Sequence, residues 1–178
     1  TETLELERSL PSRVEPLRRA RWERGVSEAL HGLGRLTESL APLERAAEIL
    51  GHPFAGTKTA LSVGLSANLL RLLSSALTRP RPPESVEVAL EMGRVMERVL
   101  RISYYTGDNL RMLYACLASL LFCERAGATS DLATAYLNAA ATASVMPLHG
   151  LARSYFARAG ALLREHPDPV VESQSCML

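Results

Sequence analysis

The sequence is short of the residues that usually announce chemistry. It has three cysteines, Cys116, Cys123 and Cys176. That odd count, without a framework spacing, excludes a disulfide-stapled secreted domain and points to a reducing compartment, the cytoplasm. The four histidines, His31, His52, His149 and His166, are scattered and have no second ligand at metal spacing, so no metal or other cofactor is expected. Lys58 is the only lysine among twenty basic residues, and the net charge is +1. That balance offers no general attraction for nucleic acid. Aromatic residues are 5% of the chain, and the five tyrosines are not interleaved with basic residues as a single-strand platform requires. The longest apolar run, Leu61 to Leu77, is interrupted by Asn68 and Arg71 and is too short and too polar for a membrane span. No stretch reads as a signal peptide.

Helical periodicity is abundant. The clearest stretch is Tyr104 to Gly127, YYTGDNLRMLYACLASLLFCERAG. Gly107 suits the left-handed conformation that closes a helix, and Asp108 or Asn109 can cap the helix that follows. So short a turn makes an antiparallel helical hairpin. The second helix carries Leu110, Leu113, Leu117, Leu120 and Leu121 inward and stops at Gly127.

The rest of the chain reads the same way. A first helix runs from Pro16 to about Leu33 with a stripe of Val26, Ala29, Leu30 and Leu33, and breaks at Gly32 and Gly34. A second starts at Thr37 or Glu38 and ends at Leu50-Gly51, with Pro42 inside its pattern. A third, from about Thr59 to Leu77, is capped by Thr57 or Thr59 and ended by Pro80-Arg81-Pro82-Pro83, a stiff connector. Ser85 caps a fourth, with Val88, Val95, Val99 and Ile102 on one face. The sixth, capped by Ser130 or Thr129, holds LATAYLNAAATAS. Its small residues Ala139, Ala140 and Ala143 are expected where helices approach closely. Met146-Pro147 ends it, and a seventh runs from Leu148 to Glu165.

The expected fold is therefore all-α, an irregular superhelical stack of about seven helices in antiparallel hairpins. Residues 1–14 read as a frayed segment or the remnant of a preceding helix, 15–166 as the array with a proline-rich connector at 79–84, and 167–178 as a tail. The start at Thr1 and the ending ESQSCML suggest a fragment, with self-association expected through exposed terminal helices.

Two motifs fall short of chemistry. Gly51 to Thr59 nearly spells a phosphate-binding loop, but Thr57 separates Gly56 from Lys58, and a helix rather than a strand precedes it. Cys123 could act as a nucleophile only beside a base, for which His149 is the sole candidate. No catalytic residue is assigned. The positions singled out, Gly34, Gly107, Asp108, Gly127, Ala139, Ala140, Ala143 and Pro147, are turns and packing points.

Gly34 and Gly107 lie 73 residues apart and Gly107 and Pro147 another 40. Read as two repeats and one, these intervals lie just above the roughly 34-residue tetratricopeptide (TPR) period. Ser27 to Gly51 resembles such a repeat, with Ser27, Ser39 and Ala46 at its small positions and Gly34 at its turn. The second half is more specific. Tyr104-Tyr105 before Gly107-Asp108, Glu124-Arg125-Ala126-Gly127, Asp131-Leu132-Ala133, and Pro147-Leu148-His149 followed by Leu151-Ala152-Arg153 resemble the TPR-like C-terminal region of bacterial signalling proteins. Those proteins carry predicted-ATPase or class III nucleotide-cyclase domains. The resemblance spans about residues 26–166 and includes none of the cyclase aspartates or the ATPase phosphate loop. It implies a non-catalytic interaction or regulatory segment whose partner is a protein, a peptide or another domain of the same polypeptide. A small-ligand-sensing domain, or a small all-α enzyme with a pocket between helices four and seven, are the alternatives.

Overall fold

Four turn glycines set the frame. Gly34, Gly51, Gly107 and Gly127 have φ between 68° and 79°, the left-handed conformation that ends a helix and that a Cβ would strain. The computed structural model describes residues 15–54, 57–75, 85–127, 129–169 and 171. Among them lie seven α-helices and no strand: α1 (Glu15–Gly32), α2 (Leu36–Ile49), α3 (Lys58–Ser75), α4 (Val86–Thr106), α5 (Asn109–Ala126), α6 (Thr129–Val145) and α7 (His149–Glu165). The protein is all-α. Residues 1–14, the connector 79–84 and most of the tail lie outside the described residues.

Helix starts follow from side chains that satisfy orphan N–H groups. Ser85 Oγ accepts from Val88 N at 3.3 Å, and Asp108 Oδ1 accepts from Arg111 N at 3.1 Å. Of the two candidates before α3, Thr57 is the cap, its Oγ1 accepting from Ala60 N at 3.2 Å. The second helix begins at Leu36, just ahead of Thr37, without a side-chain cap, and Pro42 lies buried within it.

The chain divides into two compact units, 1–54 and 55–178. The first unit ends in the loop that follows α2. In the first unit α1 and α2 form a hairpin. Its contact face is made of Ala20 and Ser27 against Ser39, Leu43, Ala46 and Ala47, all buried. Ser27 Oγ donates to Ser39 O at 2.7 Å, and Ser39 Oγ to Leu36 O at 2.6 Å. These short residues replace the expected stripe of α1. Leu33 is 73% exposed, and Val26 and Leu30 are only half-buried at the edges. Small residues let the two helices approach closely, which leaves the leucines of α1 at the edges of the contact.

The second unit is built from two hairpins, α4–α5 and α6–α7, with α5 packed on α6. Met92, Val95, Met96, Val99, Ile102 and Leu120 are fully buried in its centre. At Gly93 an added Cβ would meet Cys123 Sγ at 2.7 Å, so α4 and α5 cross at close range. Ser119 Oγ donates to the Gly93 carbonyl at 3.0 Å in the same place. The remaining helix, α3, has its main contact with α5. It approaches closely at Gly64, where a Cβ would lie 2.9 Å from Tyr114 Cε2.

Candidate functional site

An odd helix in a set of hairpins has one flank without a partner. Because α3 lies on α5 while α7 lies on α6, a groove of about 690 Å³ opens between them. Its deepest lining includes Cys116 from α5 and Ala139 and Ala143 from α6, each at most 5% exposed. Side chains this short leave space where leucines would fill it. Leu65 and Leu69 of α3, Leu113 and Leu117 of α5 and Leu151 of α7 supply apolar walls. The α5 leucines expected to point into the core therefore divide. Leu120 is fully buried, while Leu113 and Leu117 are half-buried along the groove.

The groove also contains a polar cluster. Tyr136 and Tyr155 stack at 5.8 Å between centroids with 24° between their planes, and the Arg158 guanidinium carbon lies 5.8 Å from each centroid. Tyr136 Oη donates to Glu124 Oε1 at 3.1 Å. Burial, reinforced by the Glu124 carboxylate, pushes the Tyr136 phenol up to about 12, and burial likewise raises Tyr155. Both are neutral hydrogen-bonding groups at ordinary pH. A largely apolar cleft with a few convergent polar groups is the usual form of a ligand site, and roughly 300–1,000 Å³ is its usual size.

The positions singled out in the sequence fall as follows. Gly34, Gly107 and Gly127 occupy left-handed turns, Asp108 caps α5, and Pro147 lies in the exposed turn between α6 and α7. Ala139, Ala140 and Ala143 are all buried, but only Ala139 and Ala143 line the groove. Lys58 is the first residue of an exposed helical turn beginning beside Thr57, whose hydroxyl is a cap. Cys123 is buried against Gly93 and burial pushes its thiol up to about 12, while His149 is exposed at the start of α7. That thiol is held in its unreactive form. Burial also pushes the Cys116 thiol up to about 11.

Among the described residues no three His, Cys, Asp or Glu side chains gather as a metal site, and no helix is long and apolar enough to cross a membrane. The sequence reading missed the cluster of Glu124, Tyr136, Tyr155 and Arg158. Tyr155 and Arg158, three apart on α7, form a local signal; Tyr136 and Glu124 join them only through the packing of α5, α6 and α7. No family model, no curated protein and no solved structure matches the chain.

Proposed function

We propose that the chain is a non-catalytic recognition segment that binds a small apolar effector in the groove of its C-terminal unit. In this reading it regulates a larger cytoplasmic signalling protein of the bacterial ATPase or nucleotide-cyclase kind that its second half resembles. The observation carrying the proposal is the groove itself, about 690 Å³ with short side chains in its depth and a polar cluster in its lining. A cleft lined by leucine and alanine supplies hydrophobic binding energy, whereas the cluster offers hydrogen bonds that orient an occupant. An apolar fluorescent dye should bind saturably, and Ala143→Leu should block it while lowering the thermal midpoint less than Ala140→Leu does. Undiminished dye binding in that variant would remove the groove as the site.

A second reading is supported by the rim. Leu69, Met146, Leu148 and Leu151 line the groove yet are 43–51% exposed. An amphipathic helix from a protein partner, or from another domain of the same polypeptide, could cover them. Saturable binding of such a peptide, blocked by Ala143→Leu while no small apolar molecule competes, would favour this reading over the first.

A further inference from the structure

We infer that the occupant of the groove is an amphipathic carboxylate, an aliphatic chain bearing one acidic head group. The inference rests on the groove being a ligand site and concerns what that site selects. The apolar part follows from the walls: Leu65, Leu69, Leu117 and Leu151 reach in from three helices, with the Tyr136 and Tyr155 rings confined to the polar cluster. Branched aliphatic walls suit a flexible chain without demanding a flat one.

The head group follows from an inventory of donors and acceptors. The Tyr136 hydroxyl is committed to Glu124. Arg158 makes cation–π contacts with two stacked rings and also hydrogen-bonds the Tyr136 phenol, and Tyr155 contributes its ring to that stack. One phenol oxygen occupies only part of the guanidinium fork, so donors still exceed acceptors at the exposed end of Arg158. A guanidinium offers five N–H donors in a planar fork, and an ionised carboxylate is an acceptor-only group that matches it. The two rings hold the guanidinium in place, so little side-chain freedom is lost when an anion arrives. Glu124 is engaged by Tyr136 and its charge also acts on Tyr155, so the head group is drawn to the exposed end of Arg158. Carboxylate and arginine would meet at the edge of the groove, where α7 leaves Arg158 exposed.

The test uses the whole chain with decanoate and dodecanoate, and with decanol and dodecanol as matched neutral probes, all below their aggregation concentrations. Displacement of the bound apolar dye is measured for wild type, Arg158→Gln and Tyr155→Phe, with circular dichroism confirming each fold. We expect the carboxylates to bind about tenfold more tightly than the alcohols, the scale of a charge-assisted hydrogen bond at a partly exposed site. Arg158→Gln should abolish that preference and leave alcohol binding within about twofold. Tyr155→Phe should reduce it about threefold while preserving the ring stack. Equal binding of acids and alcohols, or equal weakening of both by Arg158→Gln, would overturn the inference and leave the groove as a ligand site. Displacement of the dye by an amphipathic peptide but by no carboxylate would also overturn it, in favour of a protein occupant. Failure of the dye to bind at all would instead overturn the reading of the groove.

Discussion

Ala139, Ala140 and Ala143 differ by what lies beyond each methyl group. Ala140 is 0% exposed and does not line the groove. Added carbon there has nowhere to go, and Ala140→Leu should cost about 1–3 kcal/mol. Ala139 and Ala143 open toward the groove, so leucine at either position should extend into vacant space at less cost. The urea midpoints of the three variants test this ordering, and equal losses at all three would mean the groove cannot accept the added side chain. The two buried thiols make a prediction about pH. Burial pushes Cys116 up to about 11 and Cys123 up to about 12, against about 8.5 in an unfolded chain. Above the unfolded value the denatured chain loses protons that the native chain retains. The stabilisation is therefore complete below about pH 8.5 and is lost as pH rises through the folded values. The drop in urea midpoint between about pH 8 and about pH 10.5 should shrink in a Cys116→Ala, Cys123→Ala double variant. An unchanged drop would assign the alkaline loss to other groups.

Helices α4 and α5 meet where Gly93 faces Cys123, a close crossing in the second unit's core. Gly93→Ala gains about 1 kcal/mol of helix propensity. It also drives a Cβ to 2.7 Å from a buried sulfur, and the net change should be a loss of about 1–2 kcal/mol. Removing the sulfur should reverse it, so Gly93→Ala combined with Cys123→Ala should be more stable than the two single losses predict. Simple additivity in this double-mutant cycle would show that the two residues are not in contact. By contrast, Gly25 lies inside α1 with open space around its Cβ position. Gly25→Ala should stabilise the protein by about 0.5–1 kcal/mol, with thermal melting as the check.

These elements were legible in the sequence because their signals are local. A glycine after a helix, a serine or aspartate before one, and leucines at three- and four-residue spacing each act within a turn or two. The face of α1 was legible only in part. The repeat resemblance marked Ser27, Ser39 and Ala46 as small positions, but the hydrophobic stripe pointed elsewhere, because Ala20 and Ser27 carry little hydrophobic signal and are buried through the close approach of α2. The groove was illegible for the same kind of reason. Leu117 looks like any core leucine until α3 is found on α5 and not beside α6.

At the scale of the whole molecule the two units carry unequal cores. In the first, two helices bury mainly alanine and serine around Leu43 and Leu50, and a hairpin of that size has little apolar area to offset its conformational entropy. In the second, α4 and α5 enclose two methionines, two valines, an isoleucine and a leucine with essentially no exposure. Local opening should follow that inequality. Hydrogen exchange resolved by segment should show α1 and α2 opening at a lower free energy than α4 and α5. A single free energy and a single denaturant slope across all four helices would mean that the chain opens as one body. Within the second unit α3 is the helix held least, since Leu61 and Asn68 are its only buried side chains among those described. It is also a wall of the groove. An occupant that contacts Leu65 and Leu69 binds the arrangement with α3 in place and not the one with α3 detached, so it stabilises that helix by mass action. Saturating dodecanoate should therefore slow exchange in α3 far more than in α4, whose protection is already set by the core. Slowing confined to α4 and α5, with α3 unchanged, would place the bound molecule somewhere other than the groove.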